Sequence, residues 1–320
     1  RYNTSRCVNL LTTVTNPTGQ QIRMAYKLSE PSTNHRNRQW DLAYIADIDS
    51  THPMHEMQEG ITVLEYKDAF YDTFEKTDYG YAHVRTISNN EKVKDSYYYN
   101  QSFLQKGELQ EELISNTNEQ KYVRYIHGSR YTNIDSGEQL EPDEDLCSDA
   151  NLTQSQYGYW TEYFEGEDEP LITTYYNIEY DQYHNVVSYI DEGDIAIDTD
   201  DWYKTITYLP TTANNMISLP KQEQVYDFRG RLLRNSKVDY SFLGQPEHIY
   251  REIAPDEYAI THLQYDDFGN ISTIIFPENE NNEHHWSTFT YDPVTYSYVL
   301  SIDNPFNTQT TTYYDLRWGV

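Results

Sequence analysis

Cysteine is almost missing from this sequence: 320 residues hold two, Cys7 and Cys147. Two cysteines make neither a disulfide scaffold nor a cysteine-based zinc site, and whether they pair depends on whether the fold brings them together. Long apolar runs are missing too. No stretch approaches the roughly 18 apolar residues of a membrane-spanning helix. "VNLLTTV", from Val8 to Val14, is too short and too polar for a signal peptide. Positive charge is scarce: Lys and Arg number 23 against 52 Asp and Glu, for a net charge of −29 and a pI near 4.5. That balance excludes nucleic acid, whose phosphates would be repelled, and a basic patch docked on anionic lipid. A solvated acidic surface keeps a large β protein soluble; the other reading the charge allows is a specific basic partner. Helical signals are few. "QKGELQEELIS", around Leu109 and Leu113, has the spacing of a short helix, but a strand is the favoured reading.

Catalytic signatures are equally thin. There is no G-x-S-x-G elbow, no Gly-rich phosphate loop and no Cys-His pairing. Carboxylates are so numerous that no glycosidase pair stands out. "NEHHWST" sets His284 and His285 beside Glu283, but neighbours on a strand point to opposite faces and do not easily share one metal. "DEGDIAIDTDD" gathers Asp191, Asp194, Asp198, Asp200 and Asp201; the EF-hand register is not met, so a solvated loop is expected, with a weak calcium site as the lesser alternative.

Tyrosine is abundant: it supplies 33 residues, while hydrophobic residues make up 37% and aromatics 15% of the chain. A disordered acidic chain would be poor in aromatics. Tyrosine has an apolar ring and a polar tip and suits half-buried sheet faces. The composition points to an all-β protein with little Leu/Ile/Val core, its tyrosines packed across strands rather than stacked on sugars.

A turn grammar recurs. In "QVYDFRGRLLRNSKVDY" Asp227 stands at position i and Gly230 at i+3, the chemistry of a type I turn closed by a residue with φ > 0. "QYDDFGNISTII" repeats it with Asp266 and Gly269. "EYDQYHNVVSYI" has Asp181 but puts His184 where the glycine belongs, at a strain cost on the order of 1 kcal/mol; replacing His184 by glycine is expected to stabilise. Asn16, Pro17 and Gly19 form another such turn, as do Asn304, Pro305 and Asn307, while Ser241 and Gly244 offer a further one. Tyr-Asp pairs fall at Tyr71, Tyr180, Tyr226, Tyr265, Tyr291 and Tyr314, too unevenly for a strict solenoid. Successive antiparallel hairpins are predicted.

These residues resemble the YD-repeat, or Rhs, family, which writes Y-D-x-x-G-[RN]-[LIV]. Tyr226, Asp227, Gly230, Arg231 and Leu232 match it, as do Tyr265, Asp266, Gly269, Asn270 and Ile271; Tyr180, Asp181, Asn185 and Val186 match apart from His184. The order of "NLLTTVTNPTGQQIRMAYKLSE", "NRQWDLAYI", "EYKDAFYDTFEKTDYGYAHV" and "YYYNQSFLQKGELQEEL" further resembles the middle region of the B component of bacterial toxin complexes and of SpvB-type proteins. The resemblance implies a β-ribbon wound in a spiral as a shell wall around a toxic C-terminal cargo. It also implies the remaining shell and other toxin-complex subunits as partners, and a secreted or cell-surface location. The family's aspartyl self-cleavage site has no match here, so no catalytic, cofactor or metal residue is carried over and no enzymatic activity is expected. The expected organisation is a sheet-rich region over residues 1–135, an acidic insertion or loop over 136–170, and degenerate YD repeats over 171–320. The sequence opens on "RYNTSRC" without Met and closes as Tyr314 and Asp315 begin another unit, which reads as a piece of a longer chain with unfinished sheet edges. The alternative reading is a surface adhesion or carbohydrate-binding module.

Overall fold

The structure, a computed structural model, describes residues 10–17, 19–30, 38–49, 58–134, 136, 139–140, 151–210, 216–306 and 308–315. Cys7, Cys147 and Asn307 lie outside the described residues. Among those described there is no α-helix: the chain forms 21 β-strands and one short 3-10 turn, Asp198–Asp200. It separates into two compact units, Arg1–Ile178 with Asp191–Asp198, and Glu179–Ile190 with Thr199–Val320.

The first unit is a run of antiparallel strands: β1 (Thr13–Thr15), β2 (Gln21–Leu28), β3 (Trp40–Asp49), β4 (Gln58–Asp72), β5 (Thr77–Ser88), β6 (Lys92–Tyr98), β7 (Leu109–Asn116), β8 (Lys121–Asn133), β9 (Gln139–Leu140), β10 (Leu152–Tyr163) and β11 (Ile172–Tyr180). From β1 to β8 each strand pairs with the next, and β10 pairs with β11; β9 is a two-residue strand on the far end of β8, so that β8 takes β10 as its long partner. The ambiguous stretch around Leu109 and Leu113 is β7, paired to β6 through Leu113↔Asp95. Residues 152–163, inside the expected acidic insertion, form β10 and are paired on both sides. Alternation of side chains along 12 residues, with Tyr159 and Trp160 taking opposite faces, outweighs the local charge.

The second unit continues the pattern with β12 (Val186–Asp194), β13 (Trp202–Tyr208), β14 (Pro220–Asp227), β15 (Leu232–Tyr240), β16 (Pro246–Ala254), β17 (Glu257–Tyr265), β18 (Ile271–Glu278), β19 (His284–Tyr291), β20 (Val299–Asp303) and β21 (Gln309–Thr311). From β13 to β21 every strand pairs antiparallel with the next.

Burial is sparse and unequal. The buried apolar side chains among the described residues are Ala46, Ile48, Tyr79, Val93, Tyr131 and Phe164, all in the first unit. Among the described residues of the second unit the buried ones are Asn185, Asn235 and Asp292. A sheet without a covering layer has no interior to fill. The second unit is held instead by ladder hydrogen bonds, cross-strand ring pairs and the side chains of its turns. Asn235 shows how: it accepts from Gln222 Nε2 at 2.9 Å, and its own amide donates to Glu252 Oε2 at 2.7 Å and to Tyr258 Oη at 3.3 Å.

Candidate functional surface: the ladder of turns

The Tyr-Asp grammar resolves into a defined device. At Asp266 the backbone N–H bonds the Asn270 carbonyl (2.9 Å), and the Gly269 N–H returns to the Asp266 carbonyl (3.1 Å). The Asp266 carboxylate accepts the N–H groups of Phe268 (2.9 Å) and Asn270 (2.8 Å). The same bonds recur at Asp181 and Asp227, and Ser241 does the same with its hydroxyl. Position i+3 must take φ > 0: Gly230 has φ 74°, Gly244 79° and Gly269 86°, and His184 holds φ 67° in spite of its side chain. The extra residue shifts the register by one just before the tyrosine, between Val225 and Tyr226, Asp239 and Tyr240, and Gln264 and Tyr265.

Tyrosine has its own task. Tyr208, Tyr240, Tyr265 and Tyr291 end β13, β15, β17 and β19 and donate their hydroxyls to the carbonyls of Val186 (2.9 Å), Pro220 (2.8 Å), Pro246 (2.8 Å) and Ile271 (2.9 Å). Each acceptor is the first residue after the previous turn on the same rim. The residue at i+4 reaches forward: Asn185 Nδ2 donates to the Ile217 carbonyl (2.8 Å), and Asn270 Nδ2 to the Tyr296 carbonyl (2.7 Å). Successive turns of one rim are thus clasped backward by a tyrosine and forward by an amide. Tyr226-Asp227, the best sequence match, joins β14 to β15 and so lies on the opposite rim. Its ring stacks on Tyr203 with centroids 4.8 Å apart.

Two turns escaped the sequence reading. Asn116–Gln120 and Asn279–Glu283 make the same backbone bonds, with Glu119 at φ 64° and Asn282 at φ 57° in the glycine position. The signal was the pairing of ends. Asn116 Nδ2 donates to Gln120 Oε1 (2.7 Å) and Asn279 Nδ2 to Glu283 Oε2 (3.3 Å), as Asn16 does to Gln20 (2.9 Å). Where position i is Asp, the donor sits at i+4 instead, as with Asn185, Arg231 and Asn270, each 3.0 Å from its Asp. Tyr291-Asp292 opens a wider turn. Asp292 is only 2% exposed, and its carboxylate accepts the N–H groups of Val294, Thr295, Ser297 and Tyr298 and the Thr295 hydroxyl. Burial pushes this carboxyl up, but the Thr295, Tyr298 and Ser297 donors outweigh it and hold it well below the usual carboxylate range. Asp266 is lowered in the same balance, its burial overcome by the Asn270, Phe268 and Gly269 donors; Asp227 is lowered chiefly by the Arg231 N–H.

The other candidates do not converge. His284 Nδ1 lies 2.8 Å from the Phe276 carbonyl and Nε2 3.2 Å from Glu278, whereas the His285 ring faces Phe306 at 5.2 Å, so the two part to opposite faces. Asp191 and Asp194 turn their carboxylates onto the N–H groups of Gly193 (3.0 Å) and Ala196 (3.1 Å). Among the described residues no three His, Cys, Asp or Glu side chains are grouped to hold a metal. The tyrosine rings stack on one another across strands: Tyr159 lies 5.1 Å from Tyr176 and 5.9 Å from Tyr125, and Trp160 4.6 Å from Tyr175.

Within each unit the described strands form an antiparallel β-ribbon of hairpins, and in the second the turn ladder ties them together. No protein-family model and no curated protein matches the sequence. Solved structures do match the fold. The TcdB2-TccC3 structure without its hypervariable C-terminal region is similar over 98% of this chain and 23% of its own, with a TM-score of 0.70 and 10% identity. TcdB2-TccC3 itself matches over 97% and 23%, with a TM-score of 0.70 and 10% identity. The Photorhabdus luminescens Tc holotoxin pore matches over 97% and 22%, with a TM-score of 0.66 and 10% identity. The chain therefore shares the all-β fold of these toxin-complex components and spans less than a quarter of the solved chains it matches.

Proposed function

We propose that this chain is a wall segment of a YD-repeat toxin shell, which encloses a toxic C-terminal cargo and docks with the other toxin-complex subunits of a secreted particle. It acts by structure and not by catalysis, and residues 171–320 carry its repeats. The observation that carries this reading is the interlocked rim: Tyr208, Tyr240, Tyr265 and Tyr291 each tie one turn to the one before. A sheet that among its described residues buries Asn185, Asn235 and Asp292 in its second unit gains its persistence from such ties, as a wall needs and an enzyme core does not. The likeness to toxin-complex components over 98% of the chain supports the same reading.

The test is limited proteolysis of the complete polypeptide that contains this segment. Cargo sites should resist protease in the intact protein, and the combined Tyr240→Phe, Tyr265→Phe and Tyr291→Phe variant should expose them faster. Cargo cleaved in the intact protein as fast as cargo on its own would overturn the reading.

A further inference from the structure

The ladder of the first unit is interrupted at one place. β3 and β4 pair from Asp49↔Gln58 to Tyr44↔Val63 and no further, although β3 begins at Trp40 and β4 runs on to Asp72. Beyond that point each keeps only its outer neighbour: β3 stays on β2 as far as Leu28↔Trp40, and β4 stays on β5 as far as Asp72↔Thr77. Between the diverging pairs lies a cleft of about 520 Å³, lined by Asp41 and Ala43 on one side and by every residue from Leu64 to Ala69 on the other. Successive side chains of a strand point to opposite faces. Consecutive residues can all line a cleft only if the cleft faces the edge of their strand. Over residues 64–67 this wall of the cleft is therefore the hydrogen-bonding edge of β4; at Asp68 the backbone turns to φ 57° and its carbonyl is taken by Asn100 Nδ2 at 2.7 Å, which ends the open edge.

Two tyrosines hold the cleft open. Tyr66 on β4 donates to the Leu42 carbonyl at 2.8 Å, and Tyr81 on β5 donates to Asp41 Oδ2 at 2.5 Å. Their rings lie 4.9 Å apart. Both hydroxyls are committed to β3, so the rings brace the diverging strands. The charge of the cleft is one-sided: Glu30, Asp41, Glu65 and Asp68 outnumber Lys27 and Lys67, in a chain whose net charge is −29.

We propose that the cleft between β3 and β4 is a docking site for an extended polypeptide segment bearing lysine or arginine, which joins the free edge of β4 as an added strand. An unpaired strand edge offers N–H and C=O groups in register for such an addition. The carboxylates at the cleft favour ammonium or guanidinium side chains on alternate positions of the incoming strand, and the braced rings offer cations an aromatic face. Acidic segments are rejected by the same charges. This inference rests on the first unit alone and stands whether or not the chain is part of a shell.

Hydrogen exchange measured by mass spectrometry on the whole chain tests it. The probes are capped octapeptides of alternating Lys-Thr, Glu-Thr and Lys-Pro, at physiological salt. In the free chain, amides within residues 64–67 that do not face β5 should exchange fast. The Lys-Thr peptide should slow them by roughly tenfold or more, and the Glu-Thr peptide should not. The Lys-Pro peptide, made with backbone N-methylated lysine so that no residue keeps an N–H, carries the same charge without the ladder donors, and should leave these amides unprotected. The Glu65→Lys, Asp68→Lys variant should bind the Lys-Thr peptide roughly tenfold more weakly. Protection, before any peptide is added, of the amides of residues 64–67 that do not face β5 would show the edge already paired and overturn the proposal. So would protection by Lys-Pro equal to that by Lys-Thr, or Lys-Thr protection confined to other acidic parts of the chain.

Discussion

His184 occupies a place that its neighbours in the ladder give to glycine, and the consequences of that choice can be worked out. Its φ of 67° strains a residue with a Cβ by roughly 1 kcal/mol. From strain alone, His184→Gly would stabilise. Two terms oppose this. Glycine gives the unfolded chain more freedom, worth about 0.4–1 kcal/mol. The His184 ring also stacks on Tyr180, with centroids 4.7 Å apart and planes inclined by 12°, and such a pair contributes about 0.5–1.5 kcal/mol. The sum reverses the expectation from sequence: His184→Gly should be neutral or destabilise by up to about 1.5 kcal/mol. In a Tyr180→Leu background, where the stack is already gone, the same change should be neutral to slightly stabilising. The readout is the opening free energy from exchange of the Asp181 and Asn185 amides, which close this turn. The double-mutant cycle should return a coupling of about 0.5–1.5 kcal/mol. Coupling below about 0.3 kcal/mol, or clear stabilisation by His184→Gly with Tyr180 intact, would refute the stack as the reason histidine is tolerated.

Three further outcomes follow from the same geometry. Tyr265→Phe and Tyr291→Phe each remove one part-buried hydroxyl bond to a turn carbonyl; each should lower stability in urea denaturation by about 0.5–1.5 kcal/mol, with Tyr240→Phe, whose bond is exposed, at the low end. Gly158→Ala should disturb the aromatic stack, because a Cβ there would sit 3.0 Å from the Trp160 ring and 3.2 Å from Tyr175; overpacking of this kind costs about 1–3 kcal/mol, and near-ultraviolet circular dichroism should report the shifted tryptophan. Asp292, Asp266 and Asp227 all have carboxyls lowered from an ordinary value of 3.8, so their contribution is full above that value and is lost as pH falls through their folded-state values. Urea midpoints should therefore drop on acidification below about pH 4, and Asp292→Asn should flatten part of that drop; an unchanged acid profile in Asp292→Asn would refute the role of its carboxylate.

The all-β class and most turns were legible in the sequence because they are local. An Asp or Asn that caps its own turn and a glycine three residues later that takes φ > 0 need no distant partner, and Asp227, Gly230, Asp266 and Gly269 behave as their spacing predicts. The Asn116 and Asn279 turns were missed because their αL positions are held by Glu119 and Asn282, where the eye looks for glycine. β10 was obscured because charge on either side of residues 152–163 drew attention from their alternation. What the sequence did not contain was the purpose of the tyrosines. Their hydroxyls reach carbonyls 19 to 22 residues back, a distance fixed by strand length and pairing. For the same reason Tyr226 and Tyr265 read alike but lie on opposite rims: a meander sends alternate turns to alternate edges, and only the count of intervening strands decides which. The break between β3 and β4 is likewise tertiary. Nothing in "LEYKDA" distinguishes a paired strand from a free edge, because the difference is made by where the tyrosines of β4 and β5 hold the strand beside them.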